Sequence, residues 1–585
     1  MRRLTLSVSV VLSLVLGAAG TARAAEYYLA TTGSDSNAGT MDAPWATLQK
    51  AASTAAAGDT VWIRGGTYMV TTPASSGAGV NFSKSGTSSA NINFFAYQDE
   101  HPKFDFTNLQ ISTTGYTMGF VVTGSYLHFK GLEICCVPMN MYSNNGISTS
   151  GSAGHDTFEL LDMHHNSGNG IFIGNKSGGG HLVLNCDAHD NYDATSNQGQ
   201  GQNADGFGVH YQTSGDTTIV RGCRAWWNSD DGYDLINQEV PVTVENSWAF
   251  GNGYAMYGTY NPTDGNGNGF KMGSSKTGVR HLVQNNVAWK NKASGFYANH
   301  STGGNNWYNN TSFQNGTQYN MLASSFDSSG NVTGTIVLTG SLVHVMRNNI
   351  GYPNKNSNMD GVDTMFNTWD LSITPASSDF ASISDPSVSM TGMSIEGMGA
   401  LGPRQADGSL PDVDFMKLSA TSRMIDKGTD VGLPYAGAAP DLGAFEYGAA
   451  TTTGAGGAAG RAGTGGAGGA VTAGTGGSGA GGKGTGGRGS GGAVGSGGAA
   501  GHAGTGGTGI ATGGSPATGG APGTGGGTTS GTGGEDTGTG GAAGTDPGQA
   551  TPGGCSCAID ARPSTAWLAL ITGVLGACLI RRRRR

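Results

Sequence analysis

Asn166-Ser167-Gly168-Asn169-Gly170-Ile171, Asn228-Ser229-Asp230-Asp231-Gly232-Tyr233 and Asn291-Lys292-Ala293-Ser294-Gly295-Phe296 are three copies of one unit: an asparagine, three residues, a glycine, then an apolar or aromatic residue. A fourth copy, Asn315 to Tyr319, has lost its glycine. Two more carry insertions, Asn191…Gly206-Phe207 and Asn252…Gly269-Phe270. The leading asparagines step by 25, 37, 24, 39 and 24 residues. Six residues before most of them stands another polar residue, Asn185, Asn246, Asn285 or Asn309, with Gly222 in the equivalent place before Asn228.

A period near 24 residues, built from short apolar runs with Asn or Gly at fixed corners and no helical signal between, predicts an all-β parallel β-helix, a solenoid of stacked rungs. The predicted strands are Leu182-Val183-Leu184, Thr218-Ile219-Val220, Val242-Thr243-Val244 and Leu282-Val283. Each rung buries its inward residues on its neighbour about 4.8 Å away. Stacked asparagines at the bends would hydrogen-bond from rung to rung and satisfy turn backbone that has no sheet partner. A leucine-rich solenoid would need a helix per unit, which the sequence lacks. Upstream, Tyr27 to Ala30, Pro44 to Ala52 and Gly58 to Ile63 read as strand, short Ala-containing helix and strand. The helix is expected to cap the open end of the first rung. This opening resembles the entry segment of secreted right-handed β-helix proteins.

The ends divide the chain further. Residues 1–24 combine Arg2-Arg3, an apolar stretch to Leu16 and Ala22-Arg23-Ala24, a secretory signal with cleavage after Ala24. The solenoid is expected over 25–449. Residues 450–554 form a Gly/Thr/Ala-rich linker: 451–550 hold 45 of the chain's 106 glycines and no aromatic residue, too little apolar surface to offset ordering entropy, so disorder is expected. Residues 555–585 hold Cys555-Ser556-Cys557, an apolar segment from Ala566 to Ile580 and Arg581 to Arg585. That arrangement resembles the myxobacterial type of C-terminal sorting signal; an ordinary membrane tail anchor is the alternative. Either predicts a secreted protein held at the outer cell surface. Seven cysteines in 585 residues do not build the fold. Cys186 and Cys223 share a position in adjacent rungs, as a disulfide or as stacked reduced thiols, and Cys135 and Cys136 have no assignable partner. A net charge of −9 argues against nucleic acid and, for an anionic polysaccharide, calls for a cation.

Aligning the copies on their glycine sorts the acids into columns. One residue before it stand Asn169, Asp205, Asp231, Asn268 and Ser294; two after it stand Phe172, Gly208, Asp234, Lys271 and Tyr297. Asp205, Asp230, Asp231, Asp234 and Lys271 are thus expected on one exposed face across three rungs, within about 10 Å. Four carboxylates so close repel one another unless a cation joins them. An all-oxygen set without His or Cys pairing suits calcium rather than zinc. Beside bound calcium the Lys271 amine is expected to lose its proton more readily, which suits a general base. The reaction that needs a base near a cation-bound carboxylate is β-elimination on a uronic acid.

With these elements the chain resembles polysaccharide lyase family 9, secreted pectate lyases on a right-handed parallel β-helix. The likeness runs from Tyr27 to Tyr447 and includes Ile425-Asp426-Lys427-Gly428-Thr429-Asp430 and Pro440-Asp441-Leu442-Gly443-Ala444-Phe445-Glu446. It implies that Asp205 (in Asn-Ala-Asp-Gly-Phe) and Asp230, Asp231 and Asp234 (in Asp-Asp-Gly-Tyr-Asp) hold Ca2+, and that Lys271 (in Gly-Phe-Lys) abstracts the proton. The implied partner is polygalacturonate or pectin, met by a monomer. Arg280, Tyr297 and His300 are candidates for sugar binding, Arg280 foremost. Two rivals stand beside this reading. A polygalacturonase-like hydrolase would need Gly-His-Gly and Arg-X-Lys elements that are absent. A noncatalytic surface adhesin fits the tether but leaves the lysine in register with the acids unused.

Overall fold

The computed structural model describes residues 24–448 except 76, 175–177, 196–199, 255–261, 275–276, 328–331 and 388–398. The leader, the Gly-rich linker and the Cys-apolar-Arg tail lie outside the described residues.

Three parallel sheets run along the coil. The first has twelve strands, from Glu26–Leu29 to Val362–Met365; the second has ten, from Gly66–Met69 to Ile350–Tyr352; the third has ten, from Ala78–Phe82 to Asn356–Ser357. Each turn gives one strand to each sheet. Leu182–Leu184, Asp187–His189 and Phe207–His210 make one turn, and Thr218–Arg221 returns to pair with Leu182–Leu184. The other sequence-predicted strands fall in the same first sheet, in the register the repeat requires. Apart from isolated bridges, the antiparallel pair Ala323–Phe326 with Val332–Ile336 is the exception among the described strand pairings.

The repeated unit has a direct physical meaning. Its asparagines form a buried ladder: each Nδ2 donates to the next Oδ1, at 3.1 Å for Asn166 to Asn191, 2.9 Å to Asn228, 3.0 Å to Asn252, 2.9 Å to Asn291 and 2.9 Å to Asn315. The glycine that follows leaves room for this ladder. A Cβ on Gly232 would fall 2.8 Å from Asn252 Nδ2 and 2.7 Å from the Gly269 carbonyl. The aromatic residue after the glycine points inward, so Phe207, Tyr233, Phe270, Phe296 and Tyr319 stack with ring centroids 4.9, 4.6, 5.0 and 5.1 Å apart. Asn252→Ala should lower stability by roughly 2–4 kcal/mol, because it orphans the Asn228 backbone amide and takes the Nδ2 donor from the Ala225 carbonyl, while Asn291 Oδ1 keeps the residue-252 backbone amide. A melting temperature reads this loss.

Asn185, Gly222, Asn246, Asn285 and Asn309 have a different job. All take positive φ, between 52° and 66°, and turn the corner. The hydrogen-bonded ladder at that bend lies one residue later, through Cys186, Cys223, Ser247, Asn286 and Asn310. Cys186 and Cys223 are free thiols in it: the Cys186 amide donates to Cys223 Sγ at 3.4 Å.

One open end and one flank are covered. Helix Leu48–Thr54, capped by the Thr47 hydroxyl, buries Leu48, Ala51 and Ala52. Its Gln49 accepts from the Asn81 amide at 2.8 Å, satisfying the edge strand of the third sheet. Beyond residue 370 the chain folds back over the outer face of the second sheet, packing Phe380, Phe415, Met416 and Leu442 on Trp226, Trp248, Phe250 and Trp289. A buried clamp fastens it: Asp187 accepts from Arg224 Nη2 and Arg404 Nη2, both at 2.5 Å, and the two guanidinium groups hold the carboxyl well below the usual carboxylate range. In the terminal motif, Asp441 takes the amides of Asp426 and Tyr447, and Asn348 takes that of Thr429.

Candidate active site

Four neighbouring strands of the third sheet, Phe207–His210, Tyr233–Gln238, Phe270–Ser274 and Ser294–Tyr297, pair in the order Gly208, Asp234, Lys271, Tyr297. The column read from the sequence is therefore a physical row on the outer face. The preceding column is a second ladder. The Asp205 amide donates to Asn169 Oδ1 (3.1 Å), the Asp231 amide to Asp205 Oδ1 (3.0 Å), the Asn268 amide to Asp231 Oδ1 (2.5 Å) and the Ser294 amide to Asn268 Oδ1 (3.0 Å). Asp205 and Asp231 thus occupy rungs that asparagine fills elsewhere, one oxygen holding the next rung.

Asp230 enters from the turn, where its Oδ1 accepts the Asn266 amide at 2.6 Å. Asp205, Asp230 and Asp231 offer oxygens within 4.8 Å of one another; Asp205, His210 and Asp234 form an overlapping group. Lys271 Nζ lies 3.0 Å from Asp231 Oδ2, 3.3 Å from Asp234 Oδ2 and 2.9 Å from Asn266 Oδ1. All four acids and the lysine come together, but not on an exposed face: Asp231 is 0% exposed and Lys271, the most open, 7%. The insertions in the repeat explain this. Described residues of both insertions pack beside the cluster, with Gly265 so close to the Gly201 and Ser229 carbonyls that any Cβ would collide with both.

Burial and mutual repulsion push the carboxyls of Asp205 and Asp230 well up, and that of Asp234 up to about 7. Asp234 Oδ1 is buried without a hydrogen-bond partner, and Asp231 Oδ2 has only the ion pair with Lys271. Carboxylate oxygens converging from two neighbouring rungs, two of them without a hydrogen-bond partner, are the donor set of a hard divalent cation, so the residues fit calcium. Burial alone would lower the Lys271 ammonium, but Asp231 and Asp234 hold it well above its ordinary value. The lowering expected beside calcium is thus the reverse of what these carboxylates do to the amine by themselves.

These shifts give a stability test. An acid whose folded value is raised stays protonated in the folded state after the unfolded chain has released its proton, so stability falls as pH rises from about 4 through about 7. In chelator, the melting temperature should fall across that window. Added calcium should abolish most of the fall, and a flat profile in chelator would contradict the clustering.

His210 and Asn266 escaped the sequence reading. His210 Nε2 sits 3.6 Å from Asp234 Oδ2, with the imidazole pushed down to about 3 by burial and by Lys271, hence neutral. Its signal was present: two residues after Gly208 it shares that residue's outward face. Asn266 lies inside an insertion and had none. Tyr297 pairs beside Lys271 and its ring is 6.0 Å from His300, so both extend the same face. Arg280 stands apart. Its guanidinium donates to Asn306 Oδ1 and to the Ser341 and Val343 carbonyls at the approach to the first sheet.

Comparison with known proteins agrees with this architecture. Residues 27–349 match the family model described as Pel9A-like, right handed beta helix region. The chain belongs to this family. Pectate lyase L of Dickeya chrysanthemi is 35% identical over 421 residues, 72% of this chain and 90% of the relative. Pectate lyase L of Paenibacillus polymyxa is 31% identical, over 71% and 86% respectively. Among solved structures, pectate lyase Pel9A (32% identical, TM-score 0.58) covers 73% of this chain and 97% of its own. A rhamnogalacturonan lyase (31% identical, TM-score 0.58) covers 68% and 96%. As a member of the Pel9A-like family this chain is a right-handed parallel β-helix and a polysaccharide lyase.

Proposed function

We propose that this Pel9A-like chain is a calcium-dependent pectate lyase that cleaves polygalacturonate by β-elimination, with Lys271 as the base. The observation that supports it most is the Lys271 amine within 3.3 Å of two members of a four-carboxylate cluster. Asp205, Asp230, Asp231 and Asp234 would hold Ca2+, which when bound neutralises the substrate's C6 carboxylate and makes its C5 proton more acidic. Lys271 Nζ takes that proton from C5. The electron pair left behind forms the C4–C5 double bond, and the glycosidic oxygen leaves C4 with its electrons and is protonated. Asn266 Oδ1, 2.9 Å from Nζ, aims the amine. Glycine is required at 208, since a Cβ there would collide with Asn169 Nδ2 and come within 3.3 Å of His210 Nε2. The protein acts as a monomer outside the cell, held to the surface by the tail after the Gly-rich linker.

The test is ultraviolet absorbance of the unsaturated product, with the purified protein on polygalacturonate in calcium and in chelator. A calcium-dependent rise supports the reading; new reducing ends without absorbance would replace it with a hydrolase. A rise on rhamnogalacturonan alone would move the substrate to that polymer. Because the amine must be deprotonated to act, activity in saturating calcium should climb between pH 6 and pH 10. A steady decline over that range would remove Lys271 from the base role.

A further inference from the structure

The outer face of the second sheet brings together a different set of side chains, one that the reaction does not use. There the register sets Asp105 beside Cys135, Cys135 beside His164 and His164 beside His189. Cys136 and His165 follow at the corner on adjacent rungs, both with positive φ. Cys135 Sγ and Cys136 Sγ are 2.6 Å apart, and His164 Nδ1 and His165 Nδ1 are 2.7 Å apart. An Asp105 oxygen lies within 4.8 Å of both sulfurs, and Cys135 Sγ within 4.8 Å of a His164 nitrogen.

Two sulfurs at 2.6 Å are nearer than thiols pack, yet further apart than the roughly 2.05 Å of a disulfide. A disulfide is also disfavoured on the backbone: neighbouring Cα atoms are about 3.8 Å apart, short of the roughly 4.4–6.8 Å that disulfides span. A tetrahedral thiolate site, with metal–sulfur bonds of about 2.3 Å, separates its sulfurs by about 3.8 Å, so a modest opening of the pair would admit an ion. His164 is oriented for the task. Its Nε2 pairs with Glu133 Oε1 at 3.0 Å, and Lys103 holds that same oxygen at 2.8 Å. A carboxylate on one imidazole nitrogen fixes the ring; the other, Nδ1, faces His165 Nδ1 at 2.7 Å and would exchange that contact for the ion. Sulfur and imidazole donors select a zinc-class ion over calcium, whereas the acidic cluster offers carboxylate oxygen.

We propose that Cys135, Cys136, His164 and Asp105 form a second cation site that takes a zinc-class transition-metal ion through two thiolates, an imidazole and a carboxylate. The ligands come from three consecutive rungs, so the ion staples the coil on rungs that precede Trp226, where the C-terminal covering packs.

Cobalt(II) tests this, because thiolate ligation gives a charge-transfer band in the near ultraviolet that carboxylate ligation does not. The full chain, reduced and stripped of metal, should develop the band to saturation at one equivalent of cobalt and lose it to added zinc. Asp231→Asn should keep the band, and the double variant Cys135→Ser/Cys136→Ser should lose it while retaining lyase activity in calcium. If the double variant is inactive as well, His164→Gln decides: a cobalt requirement raised by about tenfold or more supports the site, and an unchanged one overturns it. Absence of the band, or a band that survives the double serine change, overturns it. So does a 135–136 disulfide in the purified chain, two mass units lighter in the peptide that contains both.

Discussion

Lys271→Ala is expected to lower lyase turnover by about 10²–10⁴-fold, the contribution of a positioned general base. Without the ammonium, Asp231 and Asp234 are left buried and uncompensated, so the variant should also melt earlier in chelator. Saturating calcium should restore its melting temperature and leave its activity lost, which separates the base from a merely structural cation. Lys271→Arg sharpens the point. Guanidinium keeps the positive charge beside the carboxylates but does not release its proton in this pH range, so the variant should fold well and stay inactive from pH 6 to pH 10. More than a tenth of wild-type turnover in Lys271→Arg would mean that another group takes the C5 proton.

Substitutions at Asp231 should split cation binding from folding. Asparagine is the ordinary residue of that ladder, standing at 145, 169 and 268, and its Oδ1 would still accept the Asn268 amide. Asp231→Asn should therefore keep the fold and raise the calcium needed for half-maximal activity by about 100-fold or more, beyond the roughly 10–100-fold that losing an outer partner of a metal site costs. Asp231→Ala removes the acceptor too and should lose about 1–3 kcal/mol of stability in addition. Calcium titrations of activity and melting temperature on the two variants would read both effects. Equal calcium requirements in Asp231→Asn and wild type would remove Asp231 from the cation site.

The strand pattern, the ladder and the acid columns were legible because a solenoid converts sequence period into spatial register. Once Gly232 and Gly269 occupy equivalent positions, the strand residues counted on from them fall beside their counterparts, so Asp234 had to neighbour Lys271. Asp230 was legible for the same reason, as a turn residue within one copy. Burial was not. The insertions before Gly206 and Gly269 interrupt the period, and only the placement of their described residues brings Asn266 to both Asp230 and Lys271. Arg280 lay outside the repeat columns: it was a sugar-binding candidate only as a residue downstream of Lys271, and the period could not show that its guanidinium turns toward Ser341 and Val343.

By itself, then, the sequence determined the coil, the inward aromatic stack and the row of acids leading to one lysine, since each depends only on counting residues within a repeat that stacks on itself. The tertiary structure alone decided which side chains lose their water. It put the orphaned Asp234 oxygen beside Lys271, folded the C-terminal segment over the second sheet through Asp187, Arg224 and Arg404, and brought Cys135 to His164. Those outcomes depend on how irregular segments and outward faces pack, and desolvation, which sets the charge and reactivity of every group in the site, follows from that packing rather than from the period.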